Sequence, residues 1–417
     1  MKKLFLGVIL FVAASMVVFG SASRQAASSA ASDGVVTVNF YSATDLASFT
    51  DELISLFNAK NNGIKVVAHY TPSDDYDDKV KVLAAGSRDM DAFWIRNPAP
   101  AQQYIAQNAL TDLTPYAQAS GLDIAPIRDS SLKGATDASG KFYGLPTTGS
   151  CWMIFYNKEL FDAKGLPYPI NLTWDQYLDL AKQLTYTEGG KKYWGGVCPP
   201  WVLNLGAAAG GEYLTASNLS LTRAYAEVQH RMYIDDHSHP DIGEMSIGTF
   251  DINSVFASGN VYMMINGDWT FSLLDASFEY GAAPLPIFAG MPAGSSAGSL
   301  GYYAVSKSSA HPKEAYQFIE WALTSEEASA IVAAHGNIPC YPSAQAEATY
   351  KKNVNVPGVE YRFSSKISQE QGAEPYYNAV KDAFDQEIQL YLLDEQTLDQ
   401  TFTNFYKLRS EVIANNQ

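Results

Sequence analysis

A chain of 417 residues with 47% hydrophobic content can bury a large core, and its length suggests two domains. A formal charge of −16 with no basic stripe argues against a nucleic-acid partner, whose phosphates demand a Lys/Arg excess. Cysteines at positions 151, 198 and 340 match no zinc spacing, so neither a metal nor a cofactor is expected.

The chain opens Met1-Lys2-Lys3, runs apolar over residues 4–19 and continues Gly20-Ser21-Ala22-Ser23, the pattern of a secretory signal peptide over residues 1–22. Cleavage after Ala22 or after Ser23 both remain open. The apolar run is short for a bilayer, and no cysteine precedes Cys151 to carry a lipid. A soluble, exported, periplasmic protein is therefore expected. Residues 23–34 are small and polar and read as a flexible leader.

Residues 35–41 alternate valine with polar residues and predict a strand; Leu46, Phe49, Leu53, Leu56 and Phe57 follow at helical spacing, and residues 64–70 predict a second strand. A helix fits residues 76–85, stopped by Gly86, before a short strand over 90–95 that is apolar apart from Asp91. Repeated strand–helix units imply an open α/β sheet. Ligands bind beyond the carboxyl ends of such strands, which places loops 42–45, 72–76 and 96–98 on one rim.

Gly144-Leu145-Pro146-Thr147-Thr148-Gly149 interrupts that pattern before a strand over 152–156 and a helix around Trp174, Tyr177, Leu178 and Ala181, so the chain crosses to a second lobe here. The Gly/Ala/Pro/Ser-rich stretch 281–299, followed by a strand over 302–305 and two helices, marks the return. The tail from about residue 369 is helical, with Tyr377, Val380, Phe384, Ile388 and Leu392 on one stripe.

Three ordered segments carry a resemblance. Tyr143-Gly144-Leu145-Pro146 continues to Tyr156-Asn157-Lys158-Glu159-Leu160-Phe161 and Thr173-Trp174-Asp175. The second segment is Gly259-Asn260-Val261-Tyr262-Met263-Met264-Ile265-Asn266-Gly267-Asp268-Trp269. The third runs from Tyr303-Ala304-Val305-Ser306-Lys307 through Thr324-Ser325-Glu326-Glu327 to Gly336-Asn337-Ile338-Pro339. Together they resemble the extracellular solute-binding proteins of sugar ABC transporters, the group that includes maltose-binding protein.

The resemblance implies an α/β, two-lobed periplasmic-binding-protein fold of type II. Each lobe is an open sheet flanked by helices, and three hinge crossings join them near residues 148–151, 299–302 and 336–340. Residues 35–149 plus 301–337 would form lobe 1, and 150–300 plus 338–417 lobe 2. It further implies a monomer that holds a small sugar, with membrane permease subunits as partners and no catalysis. Side-by-side crossings would make Cys151 and Cys340 neighbours. A disulfide there and buried free thiols are both open readings.

Position by position, Trp269 matches the aromatic that packs on a sugar face, and Trp94 falls where the first lobe's rim presents another; either can instead be a core aromatic. Tyr377 sits where the family places a further cleft aromatic, although it also lies on its helix's apolar stripe. Trp201 follows Cys198-Pro199-Pro200 in a loop within reach of the cleft, and Trp152 lies one residue past the first crossing. Among polar candidates, Asp45, Asp74 and Arg96 belong to the rim loops, and Asp268 stands beside Trp269. Their ordinary alternatives are a helix cap for Asp45, a solvated acidic face for Asp74 and a surface ion pair for Arg96.

Two signals are set aside. Gly294-Ser295-Ser296-Ala297-Gly298 matches an esterase pattern but reads as a loop, and His237-Ser238-His239 resembles a metal pair but reads as an exposed turn. Two rival functions remain. A cationic ligand such as a polyamine also suits aromatics and acidic groups, and a secreted glycoside hydrolase would need two carboxylates flanking one bond, for which no spacing speaks.

Overall fold

Continuous apolar strands form the centres of two sheets, as expected of strands buried on both faces. The structure, a computed structural model, describes residues 34–127, 129–245 and 250–416. The signal-peptide reading, and all of the leader reading except Gly34, lie outside the described residues.

In chain order the strands are β1 (Val36–Ala43), β2 (Ile64–Thr71), β3 (Ala92–Ile95), β4 (Gly144–Gly149), β5 (Trp152–Asn157), β6 (Tyr186–Glu188), β7 (Lys191–Val197), β8 (Val261–Gly267), β9 (Tyr280–Pro284), β10 (Ser295–Gly298), β11 (Leu300–Val305), β12 (Ile338–Pro339) and β13 (Lys366–Gln369). One six-stranded sheet has the order β12-β4-β11-β3-β1-β2, one five-stranded sheet the order β6-β7-β8-β5-β9, and β10 pairs with β13 alone. β2, β1 and β3 run parallel, as the strand–helix repeats require.

Each sheet has its own core. Phe40, Phe57, Phe93, Tyr303 and Phe318 are central to the first, beneath helices Ala47–Ala59 and Pro312–Thr324. Trp152, Phe155, Trp174, Tyr225, Tyr262 and Phe384 are central to the second, beneath helices Trp174–Gln183, Ser220–His230 and Tyr377–Leu392. Thr173 starts the first of these three helices through a reciprocal capping box with Gln176, which satisfies two backbone N–H groups that would otherwise lack partners.

The chain passes from the first sheet to the second between Gly149 and Trp152 and returns between Gly298 and Leu300. The Ser150 amide donates to the Ser299 carbonyl at 3.0 Å, and Leu300 pairs with Gly149. β12 lies on the other edge of β4, where the Cys340 amide donates to the Thr147 carbonyl at 2.8 Å. The three crossings are thus laced to one another along β4.

Several local readings change. The second helix begins at Ser73, directly after Pro72, so Asp74 sits in a helical first turn and not in a loop. Residues 295–298 are a strand because β13 supplies a partner, and the Ser296 hydroxyl donates to the Trp152 carbonyl at 2.7 Å. His239 is buried, its Nε2 2.9 Å from the Tyr177 hydroxyl, and burial holds its pKa down at about 3. Cys151 and Cys198 are buried free thiols, so no disulfide joins Cys151 to Cys340.

Candidate functional site

Strand alternation sorts the side chains at the crossings. A bulge between Leu300 and Tyr302 resets the pairing of β11 with β4, after which Leu300, Gly149 and Cys151 point one way and Ser299, Ser150 and Trp152 the other. The Trp94 indole lies on the second side, over Gly301, its Nε1 2.2 Å from where a Cβ on that glycine would stand. Trp94, Ser150, Ser299 and Trp152 therefore share one face of the crossings, with Trp94 8% and Trp152 1% exposed, so that of the three tryptophans here only the half-buried Trp269 leaves appreciable ring surface uncovered.

At the first sheet's end of this face, Trp94, next to last in β3, packs against Tyr76, whose hydroxyl donates to the Trp94 carbonyl at 2.6 Å. The Arg96 guanidinium stacks 5.0 Å from the Trp94 ring centroid and donates to Asp77 Oδ2 and to the Ser73 carbonyl, each at 3.2 Å. Ser73 in turn donates to Asp45. The N-terminus of the helix Ser73–Ala84 thus gathers Trp94, Arg96 and Asp45, with Asp74 exposed in the same turn. That grouping follows from topology: each residue ends or follows a parallel strand, and parallel neighbours present those ends together.

At the second sheet's end, Trp152 pairs with Gly267 across β5 and β8, and Trp269 packs edge-on against Trp152 with centroids 5.2 Å apart. Trp152 Nε1 donates to Glu370 Oε2 at 2.7 Å. Glu370 is half-buried, and burial pushes its carboxyl pKa up, against the pull of that indole and of Lys381. The sequence reading did not single it out. Its segment follows the short β13, and only the β10 pairing delivers it beneath Trp152, with the Glu370 amide donating to the Gly298 carbonyl at 3.0 Å.

The remaining candidates are scattered. Asp268 faces away from this wall, buried and ion-paired with Arg362; burial raises its carboxyl pKa while Arg362 pulls it down. Tyr377 is fully buried, its ring packed over Gly372. Trp201 is 45% exposed on the turn after Cys198. Asp45 reaches the second lobe by another route: a recess of about 390 Å³ is lined by Asp45 and Ser48 on one side and on the other by Phe271, Ser272 and Leu273, in the turn of helix that follows Trp269. A second cavity, of about 420 Å³, reaches behind the crossings, where Gly149, Leu300, Cys340 and Arg362 are in its wall, and also touches Ser150 and Ser299 but none of the tryptophans.

This arrangement, two aromatic walls on separate lobes with carboxylates and a guanidinium at their margins, suits capture of a small polar molecule with a flat apolar face. Among the described residues no group of three or more His, Cys, Asp or Glu is placed to hold a metal ion, and no helix is long and apolar enough to cross a membrane.

Comparison with known proteins agrees with the architecture. The chain is similar to the maltodextrin-binding protein of Bacillus subtilis, 25% identical over 254 residues, which is 56% of this chain and 59% of that one. A galactooligosaccharide-binding protein of the same organism is 27% identical over 164 residues, 35% of this chain and 37% of its own. The chain thus spans about three-fifths or less of the length of these relatives. Among solved structures, a sugar transporter from Rhizobium etli in an open conformation matches with a TM-score of 0.79 at 22% identity, over 90% of this chain and 99% of that one. A substrate-binding protein from Listeria monocytogenes in complex with cycloalternan gives 0.79 at 22% identity, over 91% and 99%. At such identities the structural likeness establishes the two-lobed fold of type II periplasmic binding proteins. The family model described as bacterial extracellular solute-binding protein matches residues 52–358, so the chain belongs to the bacterial extracellular solute-binding proteins.

Proposed function

We propose that this chain is the substrate-binding component of an ABC importer, exported as a monomer without catalytic activity, which holds a mono- or oligosaccharide between its lobes and presents it to the permease. The observation that carries the reading is the placement of Trp94 on one lobe and of Trp152 and Trp269 on the other, all on one face of the crossings. One face of a pyranose carries C–H bonds that pack on an indole, while its hydroxyls need partners when water is removed. Arg96, Asp45 and Glu370 supply partners from both lobes. Asp74 stands at the margin of the first wall, whereas Trp201, the buried Tyr377 and Asp268, turned toward Arg362, take no part in this reading. Ligand touching both walls only in the closed form shifts the population toward closure.

The names of the relatives, which are oligosaccharide-binding proteins, support this substrate class. A second reading rests on Glu370: a carboxylate bound by the Trp152 indole, against which Trp269 packs edge-on, is also chemistry for an organic cation such as a polyamine. A thermal-shift screen of residues 24–417 against mono- and oligosaccharides, polyols and polyamines separates the two. A ligand at about 100 times its Kd adds about 2.7 kcal/mol of stability. A shift with saccharides alone supports the first reading, a shift with polyamines alone the second, and turnover of aryl glycosides would overturn the non-catalytic claim.

A further inference from the structure

Behind the crossings, opposite the tryptophan walls, lies a buried ion pair that the saccharide reading does not use. Arg362 comes from the short helix Tyr361–Ser364, and Asp268 directly precedes Trp269. Their side chains are 6% and 7% exposed. Arg362 Nε donates to Asp268 Oδ2, and Arg362 Nη2 donates to the Gly149 carbonyl at 2.6 Å. The Asp268 amide donates to the Cys151 carbonyl at 2.9 Å. The residue before Trp269 is therefore fastened to the first crossing twice, by its own backbone at Cys151 and by its side chain, through Arg362, at Gly149.

We propose that Arg362 is a positioning residue that locks the Trp269 platform to the first hinge crossing, so that the stacking indole keeps its place as the lobes rotate. The proposal rests on the saccharide reading for its consequence and on geometry alone for its mechanism. A planar guanidinium can serve a carboxylate and a carbonyl at once, because its N–H groups fan out in one plane; an ammonium is a point charge that fits one of them well. A Cβ at Gly149 would meet Arg362 Nη2 at an ordinary 3.8 Å and crowd only Leu300 Cδ2, at 3.1 Å, so the guanidinium reaches the Gly149 carbonyl without depending on the missing side chain. A buried pair adds little net stability over an apolar substitute, which makes fixed geometry the better account of its presence.

The test uses the full mature chain labelled with fluorotryptophan, with the Trp269 fluorine resonance assigned by its loss in Trp269→Phe. Arg362→Met, Arg362→Lys and the double variant Asp268→Asn with Arg362→Met are compared with wild type. The double variant removes both charges and so guards against misfolding of the single one. In the ligand-free protein the Trp269 resonance is expected to shift or broaden in Arg362→Met and in the double variant, less so in Arg362→Lys, while the Trp94 resonance stays in place. Saccharide affinity is expected to fall about tenfold in the folded variants, with partial recovery in Arg362→Lys, as loss of a charge-assisted contact implies. An unmoved Trp269 resonance together with unchanged affinity, whatever happens to the melting temperature, overturns the proposal. If the wild type binds no saccharide, the functional reading falls, and the fluorine resonance still decides the role of Arg362.

Discussion

The Trp269 indole stands where a side chain on Gly267 would have to be, with a ring carbon 2.0 Å from the position of a Cβ on that glycine. Trp94 over Gly301 and Tyr377 over Gly372 repeat the relationship at 2.2 and 2.6 Å. Glycine is needed at position 267 for close approach, not for an unusual backbone angle. Gly267→Ala is expected to push the indole out of its slot, costing about 1–3 kcal/mol of stability as overpacking does. Calorimetry of melting and of saccharide binding on one sample checks both effects, and intact affinity would show that the indole's position does not matter.

Truncating a wall should be felt from either lobe. Trp269→Ala and Trp94→Ala are each expected to cost ~2 kcal/mol of binding, roughly a 30-fold rise in Kd, as anchoring aromatics do. Titration calorimetry measures it. A loss confined to one of the two would place the ligand on a single lobe.

Glu370 gives a prediction with opposite signs for stability and binding. Its folded-state pKa is raised by burial, so the folded state holds the proton more tightly than the unfolded chain does. Stability from this group is then greatest below the ordinary carboxylate pKa and declines as pH rises through the raised value. Glu370→Gln should remove that decline, melting higher than wild type near neutral pH while binding ligand more weakly. Melting curves across the acid range follow the first effect and titration the second; a wild-type profile in both would mean the carboxylate is idle.

The thiols should differ in reactivity. Burial raises the Cys151 pKa and pushes that of Cys198 up to about 12, whereas Cys340 is half-buried in the wall of the rear cavity. A thiolate-seeking reagent is expected to modify at most one cysteine per native chain and all three after unfolding. Rapid native labelling of all three would contradict the burial described here.

The lobes were legible because apolar runs and glycine stops are local signals. Residues 92–95 and 152–156 announce buried strands by composition alone, and the Asn266-Gly267-Asp268-Trp269 run carries the crowding that seats its own indole. The direction in which a charged group points was not legible, because its partner is far away in sequence. Asp268 turns toward Arg362, 94 residues on, and Glu370 meets Trp152 across 218. His239 failed for the same reason: its run of polar neighbours reads as exposed, yet Tyr177, 62 residues earlier, provides the partner that lets it be buried. Short strands such as β10 exist only because a second short strand, β13, arrives beside them.

Whether ligand draws the two tryptophan walls together is read from small-angle X-ray scattering of residues 24–417 with and without a saturating saccharide. A smaller radius of gyration is expected on saturation in the wild type, and none of that contraction in Trp94→Ala saturated with the same sugar. An unchanged radius in a wild type shown to be saturated would contradict it.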